Sequence, residues 1–240
     1  LSLVHGYIHP PNRALGMQGT LVNMLAVILG SLLGFAIGSR LPERLRKLLI
    51  QVLALGTILI GIQMGFKTAN ILVVLGALLC GAVVGELLDL ERRLENIGSW
   101  LQTRLRSSSS TFVAGFVTAS LVYCIGPLTV VGSIQEGISG DATLLYTKSL
   151  LDGAASIAFA ASLGLGVLFS AITILVVQGV LTLLGAQLQF LLDERILNEL
   201  TATGGLMVIG VGFLLLDIVR IPVANLLPGL VFAVLIALLM

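Results

Sequence analysis

The sequence predicts an all-α fold: a polytopic transmembrane helix bundle of about seven or eight spans, with an inverted three-helix repeat and one broken or kinked helix. Three observations carry this expectation. The 240 residues are 57% hydrophobic and only 10% charged, with a mean hydropathy of +1.10, whereas soluble domains carry about 25% charged residues. Apolar runs of roughly the 20 residues needed to cross a bilayer as a helix recur along the whole chain, separated by short charged loops. Runs such as "ILVVLGALLCGAVVGELL" do not alternate in and out, which argues against a transmembrane β-barrel.

Residues 1–16, "LSLVHGYIHPPNRALG", hold both histidines, and Pro10 and Pro11 prevent a helix that would set His5 and His9 on one face. They read as an N-terminal tail or remnant outside the fold. The candidate spans are 19–39, 48–66, 69–88, 111–133, 146–163, 165–188, 202–219 and 222–240. The chain thus divides into a first transmembrane repeat (17–88), an amphipathic helix and linker (89–110), a middle section (111–163) and a second repeat (164–240).

In span one Ala26, Gly30, Gly34 and Gly38 recur every fourth residue, the flat small-residue face on which membrane helices pack closely. Gly81 and Gly85 give span three a similar contact, and such faces also offer a route to a homo-oligomer. Between spans three and four, "DLERRLENIGSWLQTRLR" sets Leu90, Leu94, Ile97, Leu101 and Leu105 on one stripe with Trp100 beside it. That pattern fits a helix lying on the membrane surface, or a soluble linker helix. In span four Gly126-Pro127 interrupts an apolar run, so the helix is expected to break, and backbone freed at that depth normally faces a cavity. Glu136 and Asp141 follow, either as the lining of an outward vestibule or as an exposed acidic loop.

Orientation follows from the basic residues. Arg40, Arg44, Arg46, Lys47, Arg92, Arg93, Arg104, Arg106 and Arg220 fall on one side, leaving Arg13, Lys67, Lys148 and Arg195 on the other. The richer side is expected to be cytoplasmic, with both termini outside.

"LVNMLAVILG" (21–30) matches "VVQGVLTLLG" (176–185), aligning Asn23 with Gln178 and Gly30 with Gly185. "LPERL" (41–45) echoes "LDERI" (192–196), and "GTILIGIQMGF" (56–66) echoes "GLMVIGVGFLL" (205–215). An odd number of spans separates equivalent members, so the copies run oppositely through the membrane, as in secondary transporters with a site where the copies meet. A duplicated scaffold without transport would carry the same pattern.

Asp152 is the sharpest candidate site residue. An ionised side chain at the centre of a span costs at least about 2.5–3.5 kcal/mol, so it faces a partner or a water-filled path. Lys148, four residues earlier, offers an ion pair near the surface; the alternative is a cation ligand or proton carrier. Asn23 and Gln178 are either hydrogen-bonded to neighbouring helices or are flanking oxygen ligands, a chemistry suited to hard cations. Glu86 and Asp217 read as interfacial residues, and Cys80 and Cys124 as small buried hydrophobes.

Several classes find no support. No basic run with interleaved aromatics suggests nucleic acid. No histidine falls in a span, "ISGD" (138–141) lacks the first glycine of the GxGD pattern, and there is no Walker loop, so an enzyme is not expected. No cofactor is expected beyond a bound mono- or divalent cation.

From about Met17 onward, "GTLVNMLAVILGSLLG", "GFVTASLVYCIGPLTVVGSIQEGISGD" and "KSLLDGAASIAFAASLGLG" resemble the YdfK/YqgA family of bacterial inner-membrane proteins, whose conserved domain is of unknown function. The resemblance implies a multi-pass bacterial plasma-membrane protein and supplies no substrate. "LLDGAASIAFAASLGLG" and "GGLMVIGVGFLL" are also similar to the manganese exporters of the lysine-exporter superfamily. That likeness implies a metal-binding carboxylate at Asp152 alone; the first repeat lacks the second aspartate helix those exporters carry.

The expectation is therefore a secondary transporter of a small ion or solute, foremost a cation, working in the lipid bilayer. A passive channel and a non-transporting scaffold or subunit are the alternatives.

Overall fold

The computed structural model describes residues 16–240, so the expected tail, with both histidines, lies outside the described residues apart from Gly16. The apolar runs fold as helices: α1 (Gln18–Gly38), α2 (Glu43–Gly65), α3 (Ile71–Leu88), α4 (Leu90–Arg104), α5 (Phe112–Ile125), α6 (Pro127–Ser139), α7 (Thr143–Leu163), α8 (Gly166–Leu183), α9 (Glu194–Leu215) and α10 (Pro228–Leu239). Short 3-10 turns at Gln189–Leu192 and Val223–Leu226 precede α9 and α10.

Among the described residues five helices, α1, α2, α3, α8 and α9, are long and apolar enough to cross a membrane, and α5 with α6 makes a sixth candidate bent by 61°. Lys148 and Asp152 lower the hydropathy of α7, and α10 has only 12 residues. The protein is a helical membrane protein. α9 starts well before the expected residue 202 because Asp193 caps it, accepting from the N–H groups of Arg195 and Ile196 at 3.1 and 3.4 Å.

Glycine contacts fix the helix directions. α1 runs parallel to α7: a methyl group added at Gly30, Gly34 or Gly38 would overlap the carbonyls of Gly153, Ile157 and Ala161 in turn. α2 runs antiparallel to α9, with Gly61 against Gly205 and Gly212 against Ile58 and Ala54. α3 runs antiparallel to α10, with Gly81 against Gly229 and Gly85 against Asn225. α5 and α8 are parallel, joined by Phe112–Gly166 packing and a 2.9 Å hydrogen bond between the Ser120 and Thr173 hydroxyls. Gly164, at φ +82°, turns α7 sharply into α8. Arg40, Arg44, Arg46, Lys47, Arg92, Arg93, Arg104, Arg106 and Arg220 consequently gather at the end of the bundle where α1 finishes and α2 starts. α9 lies innermost, and Met207, Val208 and Val211 pack on Phe116, Val117 and Leu121 of α5.

α4 is a helix, as its amphipathic pattern predicts, but the face it turns inward is narrower than expected. Gly98 meets Val113 and Phe116 of α5, and Leu94 and Leu101 reach the core, whereas Ile97, Trp100 and Leu105 stay exposed. The glycine sets the rotation: it lets the backbone of α4 approach α5, which carries Ile97 and Trp100 outward.

Candidate functional site

Lys148, Ser149, Asp152 and Ser156 recur at three- and four-residue spacing, so one face of α7 carries them all. Glycines on α1 let that face approach a neighbouring backbone closely. The Asp152 side chain there takes two donors on one oxygen: the Lys148 ammonium, in a short ion pair, and the Asn23 amide nitrogen of α1 at 3.0 Å. Lys148 is 4% and Asp152 8% exposed. The expected ion pair is present, then, but enclosed by protein instead of reaching for a surface. Asn23 meets Asp152 through its nitrogen, and its oxygen Oδ1, expected as a ligand, has no hydrogen-bond partner among the described residues.

The helix break stands beside this pair. Gly126 is extended (ψ 150°) and Pro127 opens α6, so the last carbonyls of α5 lose their helical partners. Thr129 Oγ1 donates to one of them, the Tyr123 carbonyl, at 2.9 Å. The Tyr123 hydroxyl bonds Ser156 Oγ at 2.8 Å, and its ring centre lies 6.0 Å from Lys148 Nζ. A cavity of ≈ 430 Å³ opens here, lined by Gly126, Pro127, Tyr123, Lys148, Asp152, Thr57 and Met64. Thus the break and the charged pair, separate signals in the sequence, border one space. Tyr123 and Ser156 went unread, although "KSLLDGAAS" already sets Ser156 one turn beyond Asp152.

The remaining candidates lie elsewhere. Gln178 is fully buried on α8, and among the described residues neither of its amide atoms finds a hydrogen-bond partner, so it does not join Asn23 at Asp152. Glu136 does not line an exposed vestibule: it is 2% exposed, and its Oε1 accepts the Gly19 N–H at the start of α1 at 2.6 Å. Asp141 is exposed in the turn before α7, accepting from the Thr143 N–H at 2.9 Å and from Gln135 Nε2 at 3.1 Å. Asp217 sits in an exposed turn at φ +56°, and Glu86 accepts from the Asn225 amide at 2.8 Å.

The hydrogen bonds to Asp141 hold its carboxyl below the usual carboxylate range. A depressed folded-state pKa adds stability above the unfolded pKa and loses it as pH falls through the folded value. In an acid titration of unfolding, Asp141→Asn should therefore lose a small stabilisation at neutral pH, leave the transition below the folded-state pKa nearly unchanged, and so flatten the acid limb of the stability curve.

Among the described residues no group of three His, Cys, Asp or Glu side chains comes together to hold a metal. Asp152, expected as a metal carboxylate, is already charge-paired. The donor set does not fit a resident divalent ion, which prefers several oxygen ligands with more negative charge.

A model of the family described as "Protein of unknown function (DUF554)" matches residues 18–238. The chain belongs to the DUF554 family. Within DUF554, the chain is 32% identical over 220 residues to "Uncharacterized protein YqgA" of Escherichia coli (strain K12), covering 90% of this chain and 94% of that one. It is 28% identical over 219 residues to "Uncharacterized membrane protein YdfK" of Bacillus subtilis (strain 168), covering 89% and 93%. No solved structure matches this DUF554 chain.

Proposed function

We propose that the protein is a secondary transporter of a small cation across the bacterial inner membrane, built on an inverted repeat of α1–α3 and α8–α10. The observation that carries the reading is the enclosed Lys148–Asp152 pair lining a cavity at a broken helix. Charged residues inside membrane bundles commonly mark an ion path, and discontinuous helices commonly frame transporter sites.

The repeat draws support from the helix pairing. α2 lies antiparallel to α9 and α3 to α10, as copies of opposite direction require. Two further matches strengthen it: Ala69-Asn70 leads into α3 and Ala224-Asn225 into α10. In both places a glutamate accepts the alanine N–H, Glu199 at 2.9 Å and Glu91 at 2.7 Å. The basic end of the bundle is the cytoplasmic one in this reading.

The chemistry is an exchange. Asp152 is neutralised by Lys148 in the absence of cargo, so the bilayer sees no net charge at the site. An entering cation takes the place of the ammonium on Asp152, the Asn23 amide turns its oxygen inward, and Lys148 moves toward the cavity. Rocking of one repeat against the other then alternates access.

Flux decides the matter. Protein reconstituted in liposomes should move one or more of Na⁺, K⁺, Mg²⁺ and Mn²⁺ down an imposed gradient, and Asp152→Asn should abolish it while the protein still folds. Absence of flux for all four ions, or flux that survives Asp152→Asn, would overturn the reading and leave a scaffold role.

A further inference from the structure

A second group of buried polar atoms lies outside the Asp152 site. Among the described residues, Glu136 Oε2, Ser133 Oγ, Thr20 Oγ1, Thr182 Oγ1 and both amide atoms of Gln178 find no hydrogen-bond partner, and every one of these residues is under a tenth exposed. They belong to α6, α1 and α8, and those helices touch where the residues sit. Gly19 N–H binds Glu136, Gly137 lies against the Thr182 carbonyl, and the Met17 side chain reaches Gly179. On α6, Ser133 and Glu136 are three residues apart, and on α8 Gln178 and Thr182 are four apart, so each pair shares a helix face.

Buried polar groups are nearly always satisfied, so this many orphans in one junction need an occupant. The charge balance says which kind. Glu136 is absent from the salt bridges among the described residues, and its one donor among them is the Gly19 N–H in the first turn of α1. A single carboxylate beside hydroxyl and amide oxygens carries one negative charge. One monovalent cation cancels it; a divalent ion would leave a net positive charge buried in a low dielectric.

We infer that Glu136, with Gln178, Thr182, Ser133 and Thr20, forms a binding site for a dehydrated Na⁺ ion. The site is separate from Asp152, whose charge Lys148 already balances. Resting on the transporter reading, the bound Na⁺ is the coupling ion, and α6 links the two places. Its first residue, Pro127, borders the Asp152 cavity, and Glu136 lies near its other end. The binding itself does not depend on that reading.

Thermal unfolding of the full chain in detergent tests it, with NaCl, KCl, LiCl and choline chloride compared at constant ionic strength. NaCl at about five times its Kd should raise Tm over choline chloride by on the order of 2–4 °C. The rise should vanish in Glu136→Gln and persist in Asp152→Asn. Thr182→Val, which removes one oxygen at nearly constant volume, should shift the NaCl midpoint roughly five- to ten-fold upward. Equal Tm in all four salts would overturn the site, as would a Na⁺ response that survives Glu136→Gln. If Glu136→Gln does not fold, an unshifted midpoint in Thr182→Val overturns it instead. Loss of the response in Asp152→Asn alone would assign Na⁺ to the transport site and remove it from this one.

Discussion

Lys148→Met should destabilise the protein by about 3–5 kcal/mol, because it leaves the Asp152 carboxylate enclosed with only the Asn23 amide as donor. The double variant Lys148→Met with Asp152→Leu should regain most of that loss, since an apolar pair of similar volume needs no desolvation of charge. The difference between the double variant and the sum of the singles measures the coupling of the two side chains. Transport, in contrast, should be absent from all three variants, so stability and flux separate. Denaturant titration in mixed micelles reads the first quantity. If Lys148→Met proved as stable as wild type, Asp152 would not be an ionised partner in the resting protein.

Gly34→Ala should be among the most damaging single-methyl changes available to the chain. The added carbon would meet the Ile157 carbonyl and Cα of α7, and backbone cannot rotate away as a side chain can. Gly30 and Gly38 hold the same seam one turn to either side, so relief requires α1 and α7 to separate along their length. Overpacking of this kind costs about 1–3 kcal/mol or more. Gly56→Ala is the control: nothing lies within 4 Å of the new carbon, and α2 gains roughly 0.5–1 kcal/mol of helix propensity. Heat denaturation of the two variants side by side should move in opposite directions. Equal Tm values would mean that the α1–α7 contact is looser than its geometry indicates.

Much of this was legible from residue spacing. The four-residue rhythm of Ala26, Gly30, Gly34 and Gly38 announces a close helix contact, and Gly126-Pro127 announces a break, because both signals are local. Lys148 and Asp152 fall on one face by count alone. Their burial was not legible, since it depends on α1, which is remote in sequence. Glu136 and Asp141 look alike in the sequence, each following a run of apolar and glycine residues, yet one is buried at the start of α1 and the other bonds the exposed turn before α7. What separates them is the partner N–H, and a carboxylate does not advertise a partner on another helix. Glu199, which accepts from Thr68, Ala69 and Asn70, and Glu91, which accepts from Ala224, were missed for the same reason. α7, expected as a span over 146–163, is not among the helices apolar enough to cross, because Lys148 and Asp152 depress its average hydropathy.

The parallel pairing of α1 with α7 imposes an order on synthesis. Asn23 and Asp152 are 129 residues apart, and at about 5–20 residues per second the ribosome needs roughly 6–26 s to deliver the second after the first. During that interval α1 presents a glycine-lined stripe and an unmatched amide with no α7 to receive them. An early-inserted helix in that condition is a natural client for the insertion machinery or for a membrane chaperone, and the lifetime of the exposed stripe sets how long such help is needed.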